Sequence, residues 1–192
     1  MYVADLNSIQ YNDESCHRRL ISALASNESM DLVLDAGVSD VKDALAWLNI
    51  GISKVVIGAE TLQAIQAIEQ IPKELDENRI VFGLDLRAGR ILSQCGDLAA
   101  MSPIEALDRL QSAGWQEVIL LDLIRVGSCM GIALTLVAEA RHRFPGLNLL
   151  VGGGIACAEQ LEELCKTGVT GVLLATALHS GIITAQHIAA IC

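Results

Sequence analysis

The sequence is poor in aromatic residues, poor in basic residues and without a long apolar run. Aromatic residues make up only 3% of the 192 residues, so the chain has little surface on which bases or sugars could stack. The net charge of −10 disfavours nucleic acids and anionic membranes as partners. No apolar run reaches the ~18 residues that cross a bilayer. The first residues also lack the basic region and cleavage pattern of a signal peptide.

Paired cysteines are missing as well. None of the six cysteines forms a C-x-x-C pair, and all are scattered among apolar segments. Zinc requires clustered Cys and His ligands, which this spacing does not provide. We therefore predict no metal site, and we expect the cysteines to be small buried side chains of a cytoplasmic protein. They are Cys16, Cys95, Cys129, Cys157, Cys165 and Cys192.

The chain has instead a regular alternation of short apolar runs and helical segments. Polar residues or glycines bound the apolar runs, as in strands that are covered on both faces. Ser102-Pro103-Ile104-Glu105 predicts a helix start, because it combines an N-cap, a proline at the first helical position and an early acid. No linker interrupts the alternation, so residues 1–192 are predicted to form a single domain. The candidate strands are 2–6, 31–35, 54–57, 79–84, 117–122, 148–151 and 171–175.

The chain nearly repeats itself at a fixed offset of 117 residues. Residues 5–6, 35–38 and 58–62 match residues 122–123, 152–155 and 175–179. Several matches at one offset indicate two homologous halves of one fold. Two halves of four β/α units close naturally at eight, so we predict an α/β fold of the TIM (β/α)8 type with a twofold internal repeat. An open, doubly wound sheet is the less favoured alternative.

The repeat also predicts a gap at the start of the barrel. The second half, residues 79–192, begins with a strand whose partner would precede Met1. The first half, residues 1–78, is therefore expected to lack its first β/α unit, about 40 residues. Three explanations stay open: the true start lies upstream, the chain is naturally shortened, or two copies pair across the gap. The last predicts a homodimer through the open barrel edge, because unpaired strand edges are usually covered or paired.

Glycine-rich turns after the last strands predict an anion site. Gly152-Gly153-Gly154-Ile155 follows a strand and precedes a helix, so backbone N–H groups could approach an anion closely. The matching turn, Ala175-Thr176-Ala177, could add the Thr176 hydroxyl. Loops after strands seven and eight of such barrels commonly bind phosphate. The alternative for this chain is that the glycines form a tight turn that binds no ligand. Asp35 and Glu60 occupy the equivalent first-half positions, which suit a hydroxyl-rich or cationic group better than a second phosphate.

Carboxylates end three of the candidate strands. Asp5, Asp85 and Asp122 each follow an apolar strand, at the end where barrel enzymes place catalytic groups. Such a carboxyl can act as a general acid or base when its pKa moves towards neutrality. The alternative is a strand-end carboxylate that orders the following loop. Arg125 and Ser128 belong either to a solvated turn or to a site for a substrate anion.

These motifs resemble the HisA/HisF family of histidine biosynthesis. The resemblance covers nearly the whole chain and rests on residues 81–89, on residues 121–128 and on the two turns described above. It implies that Asp85 is a catalytic carboxylate, and that Ser128 stands where the family usually has a threonine. It also implies that the turns at Gly152 and Ala175 form one of the family's two phosphate sites.

The resemblance implies two alternative reactions. In HisA, a cofactor-free Amadori isomerisation converts an aldose of a phosphoribosyl-aminoimidazole carboxamide into a ketose, and one carboxyl acts as acid while another acts as base. HisF instead runs a cyclase reaction with ammonia from a glutaminase partner. We expect a phosphorylated small-molecule substrate, no cofactor, and activity closest to the isomerase. The candidate catalytic residues are Asp85, Asp5 and Ser128, and the candidate substrate-binding residues are Gly152, Gly153, Gly154, Ala175, Thr176 and Arg125.

Three departures from the family pattern define the alternatives. The catalytic aspartate of the family's first strand is absent, the first-half phosphate loop reads Asp35-Ala36-Gly37, and the loop at residues 93–97 lacks a tryptophan. These departures predict a divergent member of the family. One alternative is a non-catalytic barrel that binds a phosphorylated ligand. Another is a relative that acts in one-carbon cofactor metabolism, as in methanogens and methylotrophs.

Overall fold

Seven parallel strands form the sheet of the computed structural model, which describes residues 1–11, 17–27, 30–124 and 133–191. The strands lie in the order β1-β2-β3-β4-β6-β7-β8, and a short β5 pairs antiparallel with β4. This nearly closed barrel with alternating helices confirms the predicted TIM-type fold. The strands are β1 Tyr2–Ala4, β2 Val33–Val38, β3 Lys54–Gly58, β4 Ile80–Arg87, β5 Arg90–Ile91, β6 Glu117–Asp122, β7 Asn148–Gly152 and β8 Gly171–Leu173.

Helices follow the strands and cover the outside of the barrel. The helix predicted at Ser102 is confirmed: Ser102 accepts from the Glu105 amide, and Glu105 accepts from the Ser102 amide. Gly114 ends this helix with a φ of 99°, a conformation that glycine adopts without strain. The helices are α1 Leu6–Tyr11, α2 Arg18–Ala25, α3 Val41–Leu48, α4 Ala67–Glu74, α5 Gly96–Ala99, α6 Pro103–Ala113, α7 Leu134–Arg143, α8 Ala158–Lys166, α9 Thr176–His179 and α10 Ala185–Ile191.

The 117-residue repeat is present in the strand pairing. Tyr2 pairs with Val33 across β1 and β2, and Ile119 pairs with Leu150 across β6 and β7, at positions that differ by 117 on both strands. The backbone repeats as well, because Gly37 has a φ of 70° and its counterpart Gly154 a φ of 69°. The two halves therefore share the register of these strand pairs and the conformation of this glycine, although β2 also has a register shift between Leu34 and Val38 that β7 lacks.

The core has two layers. Inside the barrel, Val56, Val81 and Ile119 are buried and pack against Tyr2 and Leu150. A larger core lies between the strands and the outer helices. Successive residues of a strand point to opposite faces, so the positions two and four residues after Val33 and Val81 also face the interior. This alternation places Asp35 and Asp85 inside the barrel.

One cysteine departs from the expected burial. Cys95 is buried and Cys157 partly buried, but Cys165 is exposed. The expectation that the cysteines are buried was wrong for Cys165, which follows buried Leu164 by one position and therefore lies about 100° further round α8. The remaining cysteines lie outside the described residues.

The strands β1 and β8 end the sheet. Among the described residues, no strand pairs with the outer edge of either one. A homodimer through this edge stays a prediction. No helix in the described part of the chain is long and apolar enough to cross a membrane.

Candidate functional site

Three acidic side chains meet at the carboxyl end of the barrel. Asp35 belongs to β2, Asp85 to β4, and Glu60 follows the end of β3 by two residues. Because these parallel strands are neighbours in the sheet, their carboxyl ends lie side by side. We call Asp35, Glu60 and Asp85 the carboxyl cluster.

Asp35 is the most enclosed member of the carboxyl cluster. It is 8% exposed, and the Tyr2 hydroxyl donates a 2.9 Å hydrogen bond to its Oδ2. The amide of Gly37 makes a longer contact of 3.4 Å with Oδ1. Burial, and then the charge of Glu60, raise the pKa of Asp35 to about 6, although both hydrogen bonds oppose the shift. Asp35 is therefore largely ionised at neutral pH.

Glu60 and Asp85 share a hydrogen bond. Burial first, and then the hydrogen bond with Asp85 and the charge of Asp85, raise the pKa of Glu60 to about 8. Burial and the charge of Asp35 raise the pKa of Asp85, while the hydrogen bond with Glu60 opposes this rise. The two carboxyls therefore hold a proton between them more readily than isolated carboxyls would. Such a pair can supply both an acid and a base within one hydrogen bond.

Asp5 lies apart from this arrangement. Its carboxylate accepts from the Ser8 hydroxyl at 3.0 Å, and His17 Nδ1 lies 2.9 Å from its Oδ1. The amides of Asn7 and Ser8 also donate to it, so Asp5 caps the start of α1. Burial favours the neutral form, but the hydrogen bonds from His17 and Ser8 outweigh it and lower the pKa of Asp5. These contacts are those of a carboxylate that orders the following loop, and the catalytic role of Asp5 stays a prediction.

The residues of the sixth strand and its loop contribute less to the described site. Asp122 is buried and accepts from the amide of Ile124. It is adjacent in sequence to Leu121, which packs in the barrel interior, so the Asp122 side chain leaves β6 on the opposite face. Arg125 and Ser128 lie outside the described residues.

The glycine turn after β7 requires glycine for steric reasons. Gly153 has a φ of 114°, and a Cβ there would lie 2.6 Å from the carbonyl oxygen of Asp122. A Cβ on Gly152 would lie 2.9 Å from the Leu121 side chain. The backbone of this turn can therefore approach neighbouring groups, and a ligand, more closely than any other residue type allows.

Backbone amides near this turn are open. Within the described ranges, the amides of Gly154, Thr176 and Ala177 donate no hydrogen bond. They border a cavity of about 440 Å³ that extends between β1 and β8 and is also lined by Gly153, Ala175 and Tyr2. The cavity adjoins the carboxyl cluster through Tyr2, because Tyr2 lines the cavity and donates to Asp35. The two parts of the site therefore share a wall.

Comparison with known proteins agrees with this geometry. The family model described as histidine biosynthesis protein matches residues 1–184. The chain belongs to this family. A phosphoribosyl-(phosphoribosylamino)methylideneamino-imidazole carboxamide isomerase of Leuconostoc mesenteroides is 23% identical over 96% of this chain and 77% of its own length. Isomerases with the same name from Deinococcus radiodurans and Methanosphaerula palustris are each 26% identical, over 94% and 88% of this chain and 75% and 71% of their own lengths.

Within the histidine biosynthesis family, this site contains pairings that the sequence pattern did not reveal. The hydrogen bond between Glu60 and Asp85 was missed, although the strand-end position of both residues was the available signal. Tyr2 was considered only as part of a strand. Tyr2 pairs with Val33 in β2, and Asp35 lies two residues after Val33 on the same interior face. This pairing could have placed the Tyr2 hydroxyl near Asp35.

Proposed function

We propose that this protein binds a phosphorylated sugar derivative and isomerises it between aldose and ketose forms. The observation that carries this proposal is the cavity with open amides beside a hydrogen-bonded carboxyl pair with raised pKa values. The relatives named as carboxamide isomerases support the same reaction class. Such a metabolite enzyme would act in the cytoplasm.

The phosphate group would bind at the turns after β7 and β8. The amides of Gly154, Thr176 and Ala177 would donate to its oxygens, and the Thr176 hydroxyl would add another donor. Backbone donors suit this chain, because its net charge of −10 otherwise disfavours anions. Gly152, Gly153 and Ala175 would let the phosphate approach the backbone without obstruction from a larger side chain.

The acid and base steps would use the pair formed by Glu60 and Asp85. In an Amadori isomerisation an acid protonates the ring oxygen as the C1–O bond breaks, and a base removes the C2 proton to give an enaminol. C1 then gains that proton, and the C2 hydroxyl returns its proton to the first carboxyl as the C2 carbonyl forms. The carboxyl that holds the shared proton would supply the acid, and its partner would act as the base. No metal or redox group is needed for this balance, because the product is an isomer of the substrate.

Substitution of Asp85 tests the proposal. With Asp85→Asn, we expect the isomerisation rate to fall about 10²–10⁴-fold, the usual contribution of a positioned acid or base. The assay follows the new keto carbon by ¹³C NMR. It uses both the carboxamide named for the relatives and an N-substituted phosphoribosylamine with one phosphate. Asp108→Asn is the matched control, because Asp108 is an exposed carboxylate on α6.

Two results would count against an enzyme. Unchanged turnover in Asp85→Asn would remove Asp85 from the mechanism. Phosphate binding at Gly154 and Thr176 without turnover of either compound would instead favour the alternative of a non-catalytic barrel that binds a phosphorylated ligand.

A further inference from the structure

The internal repeat allows the two halves of the site to be compared residue by residue. Gly37 and Gly154 are equivalent and have nearly the same φ, 70° and 69°. The first-half turn nevertheless carries Asp35 where the second half carries Gly152, and Glu60 where the second half carries Ala177. The two turns therefore share the conformation of this glycine, and one carries carboxyl groups where the other carries small side chains. They differ one residue earlier, where Gly153 has a φ of 114° and Ala36 has no positive φ, and β2 has a register shift between Leu34 and Val38.

The first-half turn is already occupied by the chain itself. The carboxylate of Asp35 accepts from the amide of Gly37, the equivalent of the open amide of Gly154. Gly37 itself has no room for a side chain, since a Cβ there would lie 3.0 Å from the Cα of Ile9. The Asp35 carboxylate thus accepts from the Gly37 amide, which a phosphate bound at this turn would otherwise accept from.

Charge makes this exclusion stronger. Asp35 and Asp85 are both close to Glu60, and Asp35, with a pKa of about 6, carries most of a negative charge at neutral pH. A phosphate beside this carboxylate meets like-charge repulsion, which is stronger at a partly buried site than in water. Amino and hydroxyl groups, in contrast, can donate to these carboxyls.

We propose that this protein takes substrates with a single phosphate, and that Asp35 and Glu60 exclude a second phosphate from the first-half turn. The substrate end that faces the carboxyl cluster carries hydrogen-bond donors. This inference rests on the proposed phosphate site at Gly154 and Thr176. It separates the chain from the relatives, whose names contain two phosphoribosyl groups.

The test transfers the second-half residues into the first half. Asp35→Gly combined with Glu60→Ala reproduces Gly152 and Ala177 at the equivalent turn. Inorganic phosphate is titrated into ¹⁵N-labelled protein at about pH 7.5, where Asp35 is ionised, and amide shifts are followed. In the unchanged protein we expect shifts at Gly154 and Thr176 but none at Gly37. In the double variant we expect an additional shift at Gly37, with affinity there raised at least about tenfold.

Two further variants keep the test decisive. Asp35→Asn with Glu60→Gln preserves side-chain volume and removes the Asp35 charge and the ionisable group of Glu60, so a gain at Gly37 is expected even if the Gly/Ala variant fails to fold. Asp108→Asn with Glu162→Gln removes two exposed carboxylates and should give no gain.

The outcomes separate the two proposals. Phosphate shifts at Gly37 in the unchanged protein, or no gain at Gly37 in either folded double variant, would overturn the exclusion. Absence of amide shifts at Gly154 and Thr176 would overturn the proposed phosphate site. The proposal that the substrate carries a single phosphate would then fall with it.

Discussion

Asp35→Asn is expected to stabilise the protein at alkaline pH. Asp35 is 8% exposed, and its folded-state pKa is raised from 3.8 to about 6, chiefly by burial. The folded state therefore holds this proton more tightly than the unfolded state does. Asparagine has no charge to bury, and its side-chain oxygen can still accept the hydrogen bond from Tyr2.

The magnitude follows from the pKa shift and its sign. For an acid whose folded pKa is raised, stability is full below the unfolded pKa of 3.8 and is lost as the pH rises through the folded pKa of about 6. A shift of about two units corresponds to about 3 kcal/mol in the free energy of unfolding. We therefore expect the stability of Asp35→Asn, relative to the unchanged protein, to increase by about 3 kcal/mol between about pH 4 and pH 8.

Urea unfolding at the two pH values measures this difference. Trp47 and Trp115 are 0% and 2% exposed, so their fluorescence reports unfolding. Comparison across pH cancels any fixed effect of the amide on packing. Asp108→Asn is the control and should show a pH-dependent difference below about 0.5 kcal/mol. A difference below about 1 kcal/mol in Asp35→Asn would refute the argument that burial of Asp35 opposes its ionisation.

Two further predictions concern the same end of the barrel. Gly153→Ala should cost about 3 kcal/mol of unfolding free energy in urea titrations, because its Cβ would meet the Asp122 carbonyl at a positive φ. Gly89→Ala, with positive φ but nothing within 4 Å, should cost only about 1 kcal/mol, and equal losses would contradict the steric argument. In pH–rate profiles, activity should fall as the pH rises through about 8, where Glu60 loses its proton. The Glu60→Gln variant should be slow at every pH and should not show this fall in activity above about pH 8. If the fall remained in Glu60→Gln, it would belong to another group.

The fold could be predicted from the sequence because it depends on repetition. An offset of 117 residues in a few short segments was sufficient, since β/α units that share sequence also share register. The turn at Gly153 was equally accessible, because a glycine with a positive φ leaves a direct trace in the sequence. The repeat and the glycine turn both depend on local backbone conformation, and a conformation with positive φ strongly restricts which residue types can occupy the position.

The partners of the carboxylates could not be predicted in this way. Asp5 and Asp85 both end apolar strands, yet Asp5 caps α1 beside His17 while Asp85 bonds to Glu60. The distinction depends on side-chain direction and on which neighbouring element supplies a partner. Neither property follows from the identity of the strand-end residue alone, because a carboxylate caps a loop as readily as it serves in catalysis.

The two halves agree in the register of β1 with β2 and of β6 with β7, and in the φ of Gly37 and Gly154. Their turns differ in side chains and also in backbone, because β2 has a register shift between Leu34 and Val38 and Ala36 lacks the positive φ of Gly153. Asp35 nevertheless remains buried at the raised pKa that makes it costly to the folded state. Asp35 lowers stability at neutral pH, and the equivalent position in the second half is an uncharged glycine, Gly152. The presence of Asp35 is therefore better explained by its effect on the ligand than by its effect on folding. This cost is the physical reason to assign Asp35 a role in substrate selection.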